Sequence, residues 1–191
     1  MTEWSQIHDI EKAKEKICTG YPKKSFVSDL SLRMVNLTQK CSILDFGCGI
    51  GRNLSYILSK APDAKIFAYD YPNMIDLARQ YLGALSKRVS WFNPPLENLA
   101  ELSFDLIVAI LVFQHMPPDE LDSALKFLAG RLQVSGELLV SSRGYLDLNG
   151  NIWPIILRYF EPTTSLDPSD GTERHQAALF RLRSNGISNL P

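Results

Sequence analysis

The sequence carries almost no excess charge of either sign: 20 basic against 21 acidic residues leave a net charge of -1 over 191 residues. That balance removes the bulk electrostatic signature of a chain that coats nucleic acid or an anionic membrane surface. Cysteine is equally scarce. Cys18, Cys41 and Cys48 are three in number, at spacings that suit neither a disulfide framework nor a metal knuckle, which argues for a reducing compartment. The three histidines, His8, His115 and His175, stand far apart with no carboxylate or thiol cluster beside them, so no metal is expected. No apolar run reaches membrane-spanning length, and the opening "MTEWSQIHDIEKAKEKIC" lacks the uninterrupted apolar core of a secretion signal. A cytoplasmic chain is the expectation. With 45% hydrophobic residues and no internal repeat, the length fits one well-filled core and is short for two.

From Ser42 onward, short apolar runs alternate with helical periodicities, the pattern of a mostly parallel sheet with crossover helices. The expected strands are "SILDF" at 42–46, "KIFAYD" at 65–70, "VSWFN" at 89–93, "FDLIVAILVF" at 104–113 and "ELLVSS" at 137–142. The long run at 104–113 has the continuous apolarity of a central strand buried on both faces. Between them lie three helical patterns. The first carries Leu54, Ile57 and Leu58; the second is capped by Asn73, with Met74, Leu77, Ala78 and Tyr81 on one face; the third is opened by Pro117 and Pro118, with a stripe of Leu121, Leu125, Leu128 and Leu132. "IILRYF" and "HQAALFRLR" read as a closing hairpin, and residues 1 to about 40 as mostly helical with breaks at Gly20 and Pro22.

The segment "ILDFGCGIGRN" places Gly47, Gly49 and Gly51 directly behind the first strand. A dinucleotide fold needs its third glycine three places after the second, where this chain has Arg52, and no lysine followed by serine or threonine closes a phosphate loop. Asp45, at the carboxyl end of the first strand, would repel a pyrophosphate but stabilise an ammonium or sulfonium. Asp70 ends the second strand, where an acidic side chain accepts hydrogen bonds from both hydroxyls of a ribose. Adenosine, a free ribose diol, positive charge and no phosphate together describe S-adenosylmethionine.

"LDFGCGIGRN", "AYDYPNMIDLAR" and "FDLIVAILVFQHM" resemble the first, second and fourth motifs of class I S-adenosylmethionine-dependent methyltransferases, over roughly Ser42 to Ser142. The resemblance implies an α/β, Rossmann-like seven-stranded sheet, mostly parallel with an antiparallel last strand and helices on both faces. It implies a methyltransferase domain at 41–191, with 1–40 capping the active site. By position, Gly47, Gly49 and Gly51 would face the methionine moiety, Asp45 its amino group and Asp70 the ribose. Tyr71 and Met74 would lie against the adenine, and Ile110 or Leu111 would line the methionine end through backbone carbonyls. Pro95 stands where the family commonly has an aspartate for the adenine amino group, so Asn93, Glu97 or a backbone carbonyl would receive that group instead, with the Leu96 amide still in reach of the ring.

His115, just past the fourth strand, is the candidate general base, although a packing role competes with it. Asp105 opens a buried strand and reads as a structural hydrogen-bonding residue. Tyr21, Phe26, Phe113, Tyr145 and Trp153 are candidates for an acceptor pocket, and Lys23, Lys24 and Arg143 for holding an anionic acceptor. With little chain beyond the sheet to build a macromolecular platform, the expected acceptor is a small molecule rather than nucleic acid or membrane. The alternative is a non-catalytic protein that keeps the fold as a binding module or partner subunit.

Overall fold

The computed structural model describes residues 3–18, 31–143, 152–166 and 175–183. Seven strands, β1 (Ser42–Phe46), β2 (Lys65–Tyr69), β3 (Val89–Phe92), β4 (Phe104–Ile110), β5 (Leu132–Arg143), β6 (Phe160–Leu166) and β7 (His175–Leu182), form one sheet in the order β3-β2-β1-β4-β5-β7-β6. The strands from β1 to β5 pair in parallel, whereas β7 runs antiparallel to both β5 and β6. The expected seven-stranded, Rossmann-like sheet is therefore the observed one. Chain order reverses between β1 and β4, and an open α/β sheet leaves its ligand crevice at the carboxyl ends of the strands beside such a point.

Among the described residues the helices include α1 (Ile10–Cys18), α2 (Arg52–Lys60), α3 (Pro72–Leu82), α4 (Pro118–Ala129) and α5 (Ile152–Tyr159). On one face, Leu121, Leu125 and Leu128 of α4 and Ile155 and Ile156 of α5 pack with Leu44, Phe104 and Ile107. On the other, Leu54, Ile57 and Leu58 of α2 pack with Ile43, Leu106 and Val108. Alternate residues of β1 and β4 thus feed opposite layers, as the two-residue period of a strand requires. A third cluster joins Ala13 of α1 to Met74 and Leu77 of α3 and to Ile50, so the N-terminal helix is seated on α3.

Asp105 has the structural role expected of it: one carboxylate oxygen accepts the backbone N–H groups of Cys41 and Ser42, each at 2.9 Å, tying the start of β1 to β4. Four sequence expectations about elements need correction. Asn73 does not cap α3; Tyr71 is the N-cap, Pro72 takes the first helical position, and the Asn73 side chain instead donates to the Ile7 carbonyl at 2.7 Å. The fourth strand stops at Ile110, because Leu111 turns into the left-handed region and 113–115 form a 3-10 turn. Leu132 begins β5 rather than extending the α4 stripe; a bulge between its pairing and that of Glu137 lengthens the strand, with Gly136 folded so closely on Leu132 that an added Cβ would come within 2.8 Å. "IILRYF" is mostly helix. Ile152, Ile155 and Ile156 are buried at helical spacing, Pro154 lies in the tolerant first turn, and the hairpin strand begins only at Phe160.

Candidate cofactor site and active site

The glycine turn is held shut from below. Gly47 (φ 72°) donates its N–H to the Tyr69 carbonyl at 2.8 Å, and Gly51 (φ 83°) donates to Cys48 at 2.9 Å while capping α2. Both dihedrals lie where an L-residue costs about 1–2 kcal/mol. Space is restrictive as well: a Cβ on Gly47 would lie 2.6 Å from both methyl carbons of Val112, and one on Gly51 would lie 3.2 Å from Leu82. The exit of β4 therefore rests directly on the glycine turn. We expect Gly47→Ala to lower stability by about 2 kcal/mol, the cost of the left-handed backbone plus a displaced Val112, measured by urea unfolding. An unchanged midpoint would show that the turn tolerates a side chain.

Two carboxylates converge on this turn. Asp45 is completely buried, and among the described residues neither of its oxygens has a hydrogen-bond partner. Burial pushes its carboxyl up to about 7; the Asn53 amide opposes this from nearby without forming a well-shaped hydrogen bond, the Asp70 charge raises it further and Arg52 lowers it. Asp70 is pushed up to about 6, again chiefly by burial, against the pull of two backbone donors. Its Oδ2 accepts the Gly49 N–H and its Oδ1 the Tyr71 N–H, both at 2.7 Å. Each oxygen keeps a lone pair for one further donor. A buried carboxylate with no partner beside a second charged one is costly unless a cation enters, and Asp70 can still accept two hydroxyls. This donor set fits an amino group and a ribose diol and repels a diphosphate.

The β4 exit supplies the third wall. Ile110 is buried, and Leu111 holds φ 59° while donating its N–H to the Ser141 carbonyl at 2.8 Å. Left-handed backbone at a leucine is strain of the kind that collects at functional sites. His115 follows on the 3-10 turn, exposed, with its Nε2 3.2 Å from Gln114 Nε2, while Ser142 on β5 donates its hydroxyl to Gln114 Oε1 at 3.3 Å.

Asp45, Gly47, Gly49 and Gly51, Asp70 and Tyr71 are thus brought together at the carboxyl ends of β1 and β2, with Ile110 and His115 at the neighbouring end of β4. Met74 is 1% exposed and packs with Ala13, Ile50 and Leu77. Asn93 is exposed beyond β3, its side chain donating to the Pro94 carbonyl at 3.2 Å; Leu96 is half-buried on the next turn and Glu97 exposed. Phe113 is a core residue tilted against Phe46, and Trp153 stacks on Phe180. Tyr21, Phe26, Lys23, Lys24 and Tyr145 lie outside the described residues, while Arg143 and His175 pair at the ends of β5 and β7. Among the described residues no group of His, Cys, Asp or Glu could hold a metal ion. Asn53, Val112, Gln114 and Ser142 belong to the site without having been singled out in the sequence. Only Asn53, a polar residue on the buried face of an amphipathic helix, left a signal there.

A methyltransferase-domain family model matches residues 44–138, the span that holds the glycine turn, Asp45, Asp70 and the β4 exit. The chain belongs to the class I S-adenosylmethionine-dependent methyltransferases. Within the family it is 31% identical over 146 residues to malonyl-[acyl-carrier protein] O-methyltransferase of Acetivibrio thermocellus, covering 74% of this chain and 50% of that protein. It is 29% identical over 113 residues to tRNA N(3)-methylcytidine methyltransferase trm141 of Schizosaccharomyces pombe, covering 56% of this chain and 45% of that protein. The chain spans about half the length of these curated relatives. A solved TehB-like S-adenosylmethionine-dependent methyltransferase from Corynebacterium glutamicum shares its fold, with a TM-score of 0.69 and 21% identity over 91% of this chain and 96% of that one. The family's methyl donor is S-adenosylmethionine, and the charged, phosphate-repelling donor set described above suits it. No helix among the described residues is long and apolar enough to cross a membrane.

Proposed function

We propose that this methyltransferase-family chain transfers the methyl group of S-adenosylmethionine to a small-molecule acceptor by in-line displacement. The observation that carries the reading is the partnerless buried carboxylate of Asp45 beneath the glycine turn, with Asp70 bonded to the Gly49 N–H at 2.7 Å beside it. In this reading Asp45 faces the amino group, Asp70 the ribose hydroxyls, and Gly47, Gly49 and Gly51 let the backbone approach the methionine moiety. Tyr71, Met74, Asn93 and Leu96 border the adenine, and the Ile110 carbonyl faces the methionine end. The sulfonium supplies the electrophile, so the chain's own task is to exclude water and align the acceptor with the methyl-to-sulfur bond.

Residues 1–40 act as the cap in this proposal. Support comes from α1, which packs on α3 next to Tyr71, and from the Asn73 amide bonded to the Ile7 carbonyl, both contacts falling on the helix that follows Asp70. His115 meets the acceptor at the end of β4. A tRNA acceptor is the second reading, favoured by the likeness to a tRNA-methylating relative; the balanced charge argues against it, since phosphate contacts draw on clustered lysine and arginine.

Calorimetry with S-adenosylmethionine and its demethylated product tests the donor half, with dissociation constants of about 1–100 μM expected, or roughly -5 to -8 kcal/mol. A chain that binds neither, or binds a nicotinamide dinucleotide instead, is not this enzyme. Binding without methyl transfer to small-molecule or tRNA pools would assign the fold to a partner-subunit role.

A further inference from the structure

Three buried side-chain oxygens that have no hydrogen-bond partner among the described residues flank the glycine turn: both carboxylate oxygens of Asp45 before it and Oδ1 of Asn53 after it. Asp45 shares a face of β1 with Ile43, two residues earlier, and Ile43 packs with Leu54 and Ile57 of α2. Asn53 sits in the first turn of that same helix, buried beside Leu54 rather than turned to solvent. Its amide opposes the rise of the Asp45 carboxyl, which only the NH₂ end of a carboxamide can do. The accepting end, Oδ1, is therefore not spent on the carboxylate, and it lacks a donor. Burying acceptors without donors is costly, and the empty turn does so on both of its sides. A ligand that repairs this has to bring several polar hydrogens and positive charge to one point. A primary ammonium does so, with three N–H donors on a single charged group. A quaternary ammonium brings charge without a donor, and a hydroxyl brings one donor without charge. Among the described residues no group of His, Cys, Asp or Glu could hold a metal ion there.

We propose that Asn53 is a further binding residue for the donor's amino group, its Oδ1 accepting one N–H of the ammonium while Asp45 accepts another. The assignment rests on the methyltransferase reading above, which sets the amino-acid end of S-adenosylmethionine over the glycine turn. The two side chains divide the work. A carboxylate attracts any cation, whereas a neutral oxygen held by a buried helix turn asks for an N–H in one direction. An amide also adds this acceptor without adding a third negative charge beside Asp45 and Asp70. Asn53 thereby sets what the site selects, because buried polar atoms reject a ligand that lacks the group matching them. A compound with the adenosine and the thioether but no amino group would leave Asn53 and Asp45 as unmatched as they are in the empty protein.

Calorimetry with two ligands on two proteins tests this as a double-mutant cycle. The ligands are S-adenosylhomocysteine and its deaminated analogue, which differ only in the amino group; the proteins are the wild-type full chain and Asn53→Leu. Wild type should prefer S-adenosylhomocysteine by roughly a hundredfold or more. Asn53→Leu should weaken S-adenosylhomocysteine about tenfold, the worth of one hydrogen bond at ~1.4 kcal/mol, and shift the analogue by less than about twofold. Asn53→Ala, which adds no bulk, should give the same pattern and replaces the leucine variant if that one shows no cooperative melting transition. Equal weakening of both ligands would make Asn53 a packing residue, and unchanged affinity for both would remove it from the site; either result overturns the inference. So does a wild-type protein that binds the two ligands equally, without need of any variant. Wild-type protein that binds S-adenosylhomocysteine but shows no coupling to Asn53 sinks only the Asn53 role, whereas wild-type protein that binds neither ligand sinks the methyltransferase reading.

Discussion

Asp45→Asn is expected to stabilise the protein without cofactor by roughly 2–4 kcal/mol at a pH of about 8, while weakening its hold on S-adenosylmethionine at least tenfold. Folding buries the Asp45 carboxylate completely and gives it no hydrogen-bond partner among the described residues, and burial raises its pKa from an ordinary 3.8 to about 7. A folded-state value above the unfolded one means that the folded chain holds a proton the unfolded chain has lost. Stability therefore falls as pH rises from about 4 towards 7, and it levels off above that. Asp70, raised to about 6, adds to the same decline over the lower part of the window. Asparagine removes the ionisation and with it most of the slope. The cofactor acts in the opposite sense: its ammonium favours the charged carboxylate, so affinity should weaken as pH drops below about 7. Urea unfolding at mildly acidic and mildly alkaline pH, with and without S-adenosylhomocysteine, reads both effects. An Asp45→Asn variant that is less stable at every pH would mean that the carboxylate is satisfied in the folded protein and needs no cation.

Asp70→Ala should cost about 1–3 kcal/mol of cofactor binding, or roughly 5- to 150-fold in the dissociation constant. The loss has two sources. The two remaining lone pairs that would receive the ribose hydroxyls disappear, and so does the acceptor that fastens the Gly49 N–H to the end of β2 at 2.7 Å. Asp70→Asn separates them, since an amide oxygen can still accept from one backbone N–H while its NH₂ end opposes the other. We expect the asparagine variant to keep much of the turn's order but to bind almost as weakly as the alanine variant. Calorimetric affinity equal to wild type in Asp70→Ala would place the ribose elsewhere.

The contrast between these carboxylates follows from their backbone surroundings. Asp45 is completely buried on β1, while Asp70 follows the end of β2, where the Gly49 and Tyr71 N–H groups reach it. In the proposed site Asp45 would gain its partner from the ligand's ammonium, whereas Asp70 already accepts two backbone N–H groups. Buried charge that the empty protein tolerates poorly is a common cost of a binding site, and this pair locates it in two residues.

The sequence by itself determined the fold class, the first five strands and the methyl donor. Continuous apolar runs at 42–46 and 104–110 permit little other than central strands, and an aspartate before alternating glycines, with a second aspartate one strand later, defines a cation-favouring, phosphate-repelling turn. These features are local, fixed by strand period and by charge within one or two turns of chain. Tertiary structure decided the rest. "IILRYF" became helix because Ile152, Ile155 and Ile156 found a partner in α4, and propensity alone cannot see that surface. The strand at 104 ended at Ile110 because its exit had to fold across the glycine turn, with Val112 against Gly47. Gln114 receives a hydrogen bond from Ser142 because β5 brings that residue beside it, 28 residues further along the chain. A hydrogen bond between segments that distant depends on sheet register, and register is a property of the assembled fold rather than of either segment.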